Sequence, residues 1–376
     1  MLRRLGGAPT AEPAMARRRT RDQLPGGYIA DAGSGTLYKR GRLLGQGAFG
    51  RCYELMDVSS SKVYAVKIIP QARLAEPGNR QRVEREIELH GRLRHRHVVG
   101  FHGHFADRSN VYVVLEYCSR RTLADILRVR DTLTEPEVRY YLRQIISGLR
   151  YLHGQGIVHR DLKPSNLFVT TSMQVKIGDM GLARREGPSG RRWGAVCGTP
   201  GFLAPEVVDR RGHSAASDVW ALGCIMYAAL AGSSPFEGAS RQELYRRIRA
   251  ARLPLPGSLS PGARALVASL LAPEPAARPG LGDVLRHDFF TQGFTPDTLP
   301  ARACRSAPVF ARPNLLCQVL RRAAAALLGG CQQPPNSGPR PSLPSPAGTR
   351  GHRTAEAVAG AVQEGVPGHP DFRDRN

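Results

Sequence analysis

The chain lacks an apolar segment long enough to cross a bilayer. Its longest strongly apolar stretch runs from Trp220 to Gly232, whereas a transmembrane helix needs roughly 20 consecutive apolar residues. No apolar signal core follows the N-terminal arginines, so the sequence does not predict secretion. We therefore expect a protein of the cytoplasm, the nucleus or both, without a transmembrane segment.

Cysteine pairs of the kinds that build disulfide frameworks or zinc sites are also missing. The chain has seven cysteines, an odd number, and none of them form a CxxC pair. They lie far apart, at Cys52, Cys118, Cys197, Cys224, Cys304, Cys317 and Cys331. Reduced thiols in the cytosol or nucleus fit this pattern better than an oxidised secreted protein does.

Acidic residues are few in relation to basic ones. The 54 Lys and Arg residues against 31 Asp and Glu residues give a net charge of +23. Such an excess favours partners that carry negative charge, namely acidic proteins, nucleic acid or an anionic membrane. The arginines occur throughout the chain, so a basic surface with basic tails explains the charge at least as well. We expect no specific nucleic-acid partner.

Both ends of the sequence have the composition of tails. Residues 1–37 set arginines among Gly, Pro and Ala, which predicts a disordered basic arm: a nuclear signal, an anion-docking patch or only a solvated tail. Residues 295–376 are rich in Pro, Gly and Arg, and 332–348 should have no regular structure. Residues 315–328 carry one apolar helical face, which fits a partner-binding or membrane-surface helix, a helix packed on the main domain, or only nascent helix.

Between the tails, the patterns predict a small β-rich lobe at 38–117 followed by a larger helical lobe at 118–294. The runs 63–69 and 111–117 are typical of strands, and the region 80–94 between them has the pattern of a helix. The fold class is therefore α+β, with two lobes.

Two long helices stand out in the second lobe. Thr134 is followed by proline and by Glu137, which together predict a capped helix start. Apolar residues then recur at helical spacing as far as Leu152. A second apolar helix begins near Asp218.

A glycine-rich segment near the start of the first lobe has the pattern GxGxxG. Glycines let a backbone close over phosphate groups without clashes from Cβ atoms. The pattern also fits a simple tight turn, but strands on both sides favour a phosphate loop. No helix follows directly, which disfavours a dinucleotide-binding unit. The segment consists of Gly45, Gln46, Gly47, Ala48, Phe49 and Gly50.

Lys67 lies inside an apolar strand that begins with Val63 and includes Ala65. A buried lysine is costly unless it is paired, and both a phosphate and a carboxylate could pair with it. Glu86 on the following helix is the candidate carboxylate, which predicts a Lys–Glu pair that holds nucleotide phosphates. The alternative is a lysine at a strand end whose ammonium group reaches water.

The motif at 159–166, His-Arg-Asp-Leu-Lys-Pro-Ser-Asn, is the strongest chemical signal. Its residue types suit phosphoryl transfer: Asp161 would accept the proton of an attacking hydroxyl, and Lys163 would neutralise charge on the transferred group. Asn166 would hold a magnesium ion together with Asp179, which opens an Asp-Met-Gly sequence.

Three further residues are predicted to have structural roles in the second lobe. Glu206, in an Ala-Pro-Glu sequence, should pair with Arg278. Asp218 should brace the backbone of the catalytic loop, although an ordinary helix N-cap explains it almost as well.

These motifs, in this order and at these distances, resemble a eukaryotic protein kinase domain from 38 to 294. Lys163 resembles the serine/threonine branch, and the finer match is to polo-like kinases. The segments that carry that match are 96–103, 133–143, 197–200 and 287–296, together with Cys52 after the glycine loop.

The resemblance implies a nucleotide site, cofactors and substrates. Leu115 would be the gatekeeper, Glu116 and Cys118 would lie in the adenine hinge, and Cys52 and Ala65 would line the same pocket. ATP and Mg2+ would be the cofactors. The family favours Ser or Thr near an acidic residue, which would suit this basic chain. We expect a monomer.

The chain also departs from the family pattern. Ala195 stands where polo-like kinases carry an activating Thr, and the segment 184–196 offers only Ser189 as a hydroxyl among four arginines. Met180 replaces the usual Phe of the metal motif, a change we expect to be tolerated. Residues 300–376 are too short and too rich in Pro and Gly for paired polo boxes. We therefore expect a truncated or alternative product, for which centrosomal targeting by those boxes is doubtful.

Two hypotheses follow. In the first, the chain is an active protein serine/threonine kinase, because every catalytic group of the template is present. In the second, it is a weak or inactive pseudokinase that acts as a nucleotide-binding scaffold or regulator, because Ala195 removes the usual activating hydroxyl. A nucleic-acid role for the basic arm is a weaker third idea.

Overall fold

The fold is that of a computed structural model, which describes residues 27–47, 50–120, 122–186 and 196–310. All of these residues belong to one unit that ends at Phe310. The predicted helix at 315–328 and the first 26 residues of the predicted arm lie outside the described residues.

The first lobe is a six-stranded antiparallel sheet with the strand order β1-β2-β3-β4-β6-β5. Alternating side chains bury one row, including Leu55 and Val66, on one face of the sheet, and the opposite face packs Ile69 and Val113 against a helix. The strands are β1 Tyr28–Ala30, β2 Leu37–Gln46, β3 Arg51–Asp57, β4 Val63–Pro70, β5 Phe101–Ala106 and β6 Asn110–Glu116, and the helices are α1 Gln71–Leu74 and α2 Asn79–Gly91.

The second lobe is mainly helical, with two short antiparallel strand pairs at its border with the first. One pair, β8–β9, brings together the ends of the motifs at 159–166 and 179–181. The helices are α3 Leu123–Arg130, α4 Glu135–Gly154, α5 Pro205–Val208, α6 Ala215–Ala231, α7 Arg241–Ala250, α8 Pro261–Leu270, α9 Leu281–Val284 and α10 Asp288–Thr291. The strands are β7 Ile157–Val158, β8 Leu167–Val169, β9 Val175–Ile177 and β10 Arg184–Arg185.

The two long helices form for the reasons that the sequence predicted. Thr134 and Glu137 make a capping box at the start of α4, with proline in the first turn. Helix α6 is buried almost all round, and it ends at Gly232, whose φ of +76° is the left-handed geometry that suits glycine. The predicted α+β class with a β-rich lobe followed by a helical lobe is confirmed.

Residues on both sides of the predicted 38–294 domain also pack against it. Strand β1 lies inside the range 1–37 that was expected to be an arm, and it pairs with β2 from Tyr28↔Lys39 to Ala30↔Leu37. At the other end, residues 295–310, here called the strap, bury Leu299 and Ala303 against the helical lobe. The expectation of a disordered arm was wrong for Tyr28–Ala30, and the buried residues of the strap lie beyond the domain boundary expected at 294. Both segments are held by contacts with distant residues, which sequence patterns do not indicate.

A buried ion pair anchors the strap. Arg130 Nη1 lies 2.8 Å from Glu137 Oε1, and both side chains are almost fully inaccessible. The same Nη1 donates to the carbonyl of Ala303 at 2.6 Å. Since the pair also closes the capping box of α4, the strap is tied to the start of the longest helix.

Within the described ranges, no helix has both the length and the apolar character needed to cross a bilayer.

We expect Leu299→Ala to destabilise the domain by about 2–5 kcal/mol, the cost of removing a large aliphatic side chain from a packed site. Val309→Ala is the control, since Val309 lies in the same strap and is 85% exposed. Urea unfolding of both variants checks this. Equal stabilities would mean that the strap does not contribute to the core.

Candidate active site

Asp161, Thr199 and Lys163 contact one another pairwise through their side chains. The Thr199 hydroxyl donates to Asp161 Oδ1 at 2.7 Å, and Lys163 Nζ lies 2.9 Å from Asp161 Oδ2. Lys163 Nζ also donates to Thr199 Oγ1 at 2.6 Å. The carboxylate therefore accepts from a hydroxyl and lies beside an ammonium group. A general base that takes the proton of a substrate hydroxyl in phosphoryl transfer would have the same two kinds of neighbour.

The backbone that carries Asp161 is held by the buried carboxylate of Asp218. Its Oδ2 accepts from the His159 amide at 2.9 Å and its Oδ1 from the Arg160 amide at 3.0 Å. His153 Nε2 lies 2.8 Å from the same Oδ2. The predicted bracing role is thus confirmed, and the N-cap alternative is wrong because Ser214 occupies the cap of α6.

The environment keeps Asp218 ionised. Burial would raise the pKa of this carboxyl, but the hydrogen bond and the charge of His153, together with the His159 amide, outweigh burial and lower the pKa. Arg160 next to it adopts φ of +69°, a strained value for a residue with a side chain. The hydrogen bond to Asp218 is one of the interactions that hold this conformation.

His159 links the catalytic loop to the metal motif. Its Nε2 lies 3.0 Å from the Gly178 carbonyl, and its Nδ1 faces the Asp161 amide at 3.3 Å. A neutral ring protonated at Nε2 satisfies both contacts. Because the next residue after Gly178 is Asp179, this ring sets the distance between the two parts of the site.

Asn166 directly precedes β8 and Asp179 follows β9, so both lie at the open end of this hairpin. The Gly178 amide donates to the Asn166 carbonyl at 2.9 Å, and Asn166 Nδ2 donates to the Asp161 carbonyl at 2.8 Å. The Asp179 carboxylate is half exposed and is within a long hydrogen-bond distance, 3.4 Å, of the Gly181 amide. The carboxylate and the amide oxygen are hard ligands of the type that Mg2+ prefers.

Lys67 and Glu86 form the predicted pair. Lys67 Nζ lies 2.7 Å from Glu86 Oε1 and 4.0 Å from Asp179 Oδ1. Burial alone would lower the pKa of Lys67, but the charges of Glu86 and Asp179 raise it above its ordinary value. The lysine is therefore a fixed cation between the sheet, α2 and the metal motif, and the alternative of an ammonium group reaching into water is wrong.

The glycine loop has the backbone geometry that its sequence requires. The Gly47 amide donates to the Gly50 carbonyl at 2.9 Å. A Cβ on Gly50 would lie 2.1 Å from the Ile68 carbonyl oxygen, so only glycine fits there. Around Gly45 the space is open. Ala48 and Phe49, also predicted to bind nucleotide, lie outside the described residues.

The register of the sheet brings the predicted adenine-pocket residues together. Cys52 pairs with Lys67, and Ala65 pairs with Leu115, which is followed directly by Glu116. Gln46 is the last residue of β2 and pairs with Arg51 of β3.

Two cysteines of the predicted adenine pocket, Cys52 and Cys118, are weaker acids than a thiol in water. Burial raises the pKa of the Cys52 thiol, and it raises that of Cys118 to about 12. Both side chains therefore behave as small apolar groups and suit the flat apolar faces of a purine. All five cysteines within the described ranges are free thiols.

The residues present fit ATP with magnesium. Mg2+ usually takes only one or two protein ligands and completes its shell with water and phosphate oxygens, and Asn166 with Asp179 supply that number. Lys67 offers a fixed charge for phosphates, and the open space at Gly45 leaves backbone groups accessible.

The segment after the site is held by a second buried ion pair. Arg278 donates to both oxygens of Glu206, at 2.8 and 2.7 Å, as the sequence predicted. Burial would raise the pKa of Glu206, and the hydrogen bonds from Arg278 outweigh burial and lower it. The Arg160 guanidinium donates to the Leu182 carbonyl at 2.7 Å. Ala195 and Ser189 lie outside the described residues.

Two residues with clear roles were missed from the sequence. Thr199 was noted only as part of a family segment at 197–200, and its contact with Asp161 crosses 38 residues of chain. Tyr117, beside the predicted hinge residues, contacts Glu54 through its hydroxyl. Neither contact follows from periodicity or spacing, since both depend on where a loop returns in space.

Comparison with known proteins identifies what this chain resembles. A model of the protein kinase domain matches residues 38–290. The mouse protein named inactive serine/threonine-protein kinase PLK5 is 56% identical over 339 residues, which are 90% of this chain and 57% of that protein. Mouse serine/threonine-protein kinase PLK2 is 52% identical over 80% of this chain and 44% of its own length. Xenopus laevis serine/threonine-protein kinase PLK1 is 44% identical over 81% and 51%. The chain spans about half the length of the curated relatives it matches.

We expect Asp218→Asn to cost about 1–3 kcal/mol of stability at neutral pH, because the amide leaves one backbone N–H of the catalytic loop unpaired. The lowered pKa of Asp218 contributes stability above the ordinary pKa of Asp, about 4, and that contribution is lost as the pH falls through the folded-state pKa. The difference from wild type in urea unfolding should therefore narrow in acid. Asp209→Asn, at a more exposed pair, is the control, and a difference independent of pH would contradict this account.

Proposed function

Because the chain belongs to the protein kinase family and its kinase domain is of the polo-like type, we propose that it transfers the γ-phosphoryl group of ATP to serine or threonine hydroxyls of proteins. The observation that carries the proposal is the contact of the Thr199 hydroxyl with Asp161 at 2.7 Å. It shows the carboxylate accepting from an alcohol, with Lys163 Nζ 2.9 Å away. A substrate hydroxyl would make the same kind of contact.

Each residue of the site then has a definite task. Asp161 orients the attacking hydroxyl and accepts its proton, and Lys163 stabilises negative charge that develops on the transferred group. Lys67, held by Glu86, binds phosphate oxygens of the nucleotide. Asn166 and Asp179 would hold Mg2+, which supplies charge neutralisation between the phosphates when bound.

Catalytic weakness is the second candidate, and two observations favour it. The mouse relative with 56% identity is named an inactive kinase. In addition, three side chains of this chain already donate to Asp161, namely Thr199, Lys163 and Asn166, so a substrate hydroxyl would have to displace or share one of these bonds. A nucleotide-binding scaffold or regulator would retain the fold and the Lys67 pair.

Charge and cysteine spacing support proposals for the substrates and the cellular site. A net charge of +23 favours serines and threonines near acidic residues, as in the family's preference. Wide spacing of the cysteines favours the cytoplasm or the nucleus. We also propose that the chain acts as a monomer.

We expect the full chain to phosphorylate dephosphorylated casein in the presence of Mg2+ and ATP, and Asp161→Asn to lower the rate by about a hundredfold or more. Incorporation of labelled phosphate, with identification of the modified residues, checks this. Asp209→Asn, a surface carboxylate paired with Arg249, is the matched control and should keep the wild-type rate.

The same assay separates the two candidates. Equal incorporation by wild type and Asp161→Asn would remove the enzyme interpretation. If wild type binds Mg-ATP in a calorimetric titration under those conditions, the scaffold interpretation takes its place.

A further inference from the structure

Three side chains, from β2, β3 and the hinge, form a closed group that we call the clasp: Arg42, Glu54 and Tyr117. Arg42 Nε lies 2.7 Å from Glu54 Oε1, and Arg42 Nη2 donates to the Tyr117 hydroxyl at 3.0 Å. The Tyr117 hydroxyl donates in turn to Glu54 Oε1. Each member therefore contacts both others, which an ordinary surface ion pair does not do.

The clasp depends on an irregularity in β2. The pairing of β2 with β3 shifts register between Arg40 and Leu43, so Gly41 and Arg42 lie in a β-bulge. Bulges near active sites re-aim side chains, and this one brings Arg42 to Glu54. A Cβ on Gly41 would lie 2.9 Å from the Glu54 Cβ, so glycine at this position permits the close approach.

The clasp joins the two edges of the predicted adenine pocket. Arg42 precedes the glycine loop, which begins at Gly45, and Glu54 follows Cys52 on β3. Tyr117 lies between the hinge residues Glu116 and Cys118. The strands that would cover a purine are thus connected to the segment that would bind its edge.

The adjacent hinge residue is held from the other direction. Glu116 Oε2 lies 2.9 Å from Lys176 Nζ on β9 and accepts from the Gly100 amide at 3.0 Å. Lys176 comes three residues before Asp179. Consecutive residues of the hinge are therefore tied to the two sides of the site, Glu116 to the strand that leads to the metal motif and Tyr117 to the glycine-loop strands.

Charge keeps the clasp together. Burial would raise the pKa of Glu54, but the hydrogen bonds from Tyr117 and Arg42 outweigh it and lower the pKa. Glu54 thus remains a carboxylate, which can accept from both partners at neutral pH. An exposed ion pair alone contributes little, so the effect expected of the clasp is on geometry, through the tyrosine that joins the pair to the hinge.

We propose that Tyr117 is a positioning residue for the nucleotide: through the clasp it holds the β2–β3 hairpin over the hinge at the separation that an adenine ring requires. The proposal rests on the proposed function, since it assumes that this pocket takes ATP. It concerns the adenine end of the site, whereas Lys67 acts at the phosphate end.

The first test measures nucleotide affinity of the full chain with Tyr117→Phe. We expect the dissociation constants of both Mg-ATP and adenosine to rise about five- to tenfold, the change that loss of one typical hydrogen bond produces. The KM for ATP in the casein assay should rise similarly, with kcat unchanged. Arg249→Met is the matched control, because its Nε lies 2.7 Å from Asp209 with 49% and 34% exposure, close to the 58% and 24% of Arg42 and Glu54. It should leave both affinities unchanged.

Three further single substitutions and one double exchange perturb the clasp and leave Tyr117 unchanged. Gly41→Ala should displace Glu54 and raise the dissociation constants of both ligands, as Tyr117→Phe does. Arg42→Glu and Glu54→Arg should each weaken binding, and the double exchange should recover most of it, because the tyrosine hydroxyl can donate to a glutamate and accept from an arginine at either position. Recovery in the exchange is a result that a general loss of stability would not give.

The outcomes separate the two proposals. Lys67→Met should lower the affinity for Mg-ATP and leave that for adenosine unchanged. This result distinguishes the phosphate end of the site from the adenine end. If wild type binds adenosine but transfers no phosphate, the proposed function falls and the clasp is still tested by adenosine affinity. If Tyr117→Phe and Gly41→Ala both bind adenosine within about twofold of wild type, or the exchange recovers nothing, the positioning role is overturned. Failure of wild type to bind either ligand would overturn both proposals.

Discussion

One buried carboxylate determines where the chemistry can take place. Asp218 has no charged arginine or lysine in direct contact among the described residues; it is held by two backbone amides and by His153. Because those amides belong to His159 and Arg160, the aspartate fixes the turn that presents Asp161. A buried charge is tolerated only when its hydrogen bonds are complete, so the position of the catalytic loop and the ionisation of Asp218 depend on each other.

One of the contacts between the first lobe and the metal motif is made by Lys67. Lys67 contacts Glu86 of α2 and lies 4.0 Å from Asp179, so it relates the sheet, the helix and the metal motif at once. His159 completes the connection through the carbonyl next to Asp179. A shift of α2 would therefore change both the position of the proposed phosphate-binding charge and the surroundings of the proposed metal ligand, whereas a shift of the hinge would act on the proposed purine site.

The sequence predicted those parts of the molecule that a residue motif marks. The helix starting after Thr134 follows from local spacing, whereas the pairs Lys67–Glu86 and Glu206–Arg278 and the brace at Asp218 join distant residues and were predicted from the motifs that contain them. It did not predict β1, the strap or the role of Thr199, because no motif was interpreted as marking these contacts between distant residues. The bulge at Gly41 was not predicted for a related reason: nothing in the residues around it distinguishes a shifted register from a regular strand.

The strap has a consequence for how the protein is made. Chains emerge from the ribosome from the N-terminus onward, and domains fold as units once their residues are available. Leu299 and Ala303 are core residues, yet they follow the last residue matched by the kinase domain model, residue 290. While residues beyond 290 are still inside the ribosomal tunnel, the base of the helical lobe is uncovered and Arg130 lacks the Ala303 carbonyl. The nascent domain therefore completes its core only after its catalytic motifs have left the ribosome, and its apolar surface at the site of the strap stays exposed in that interval.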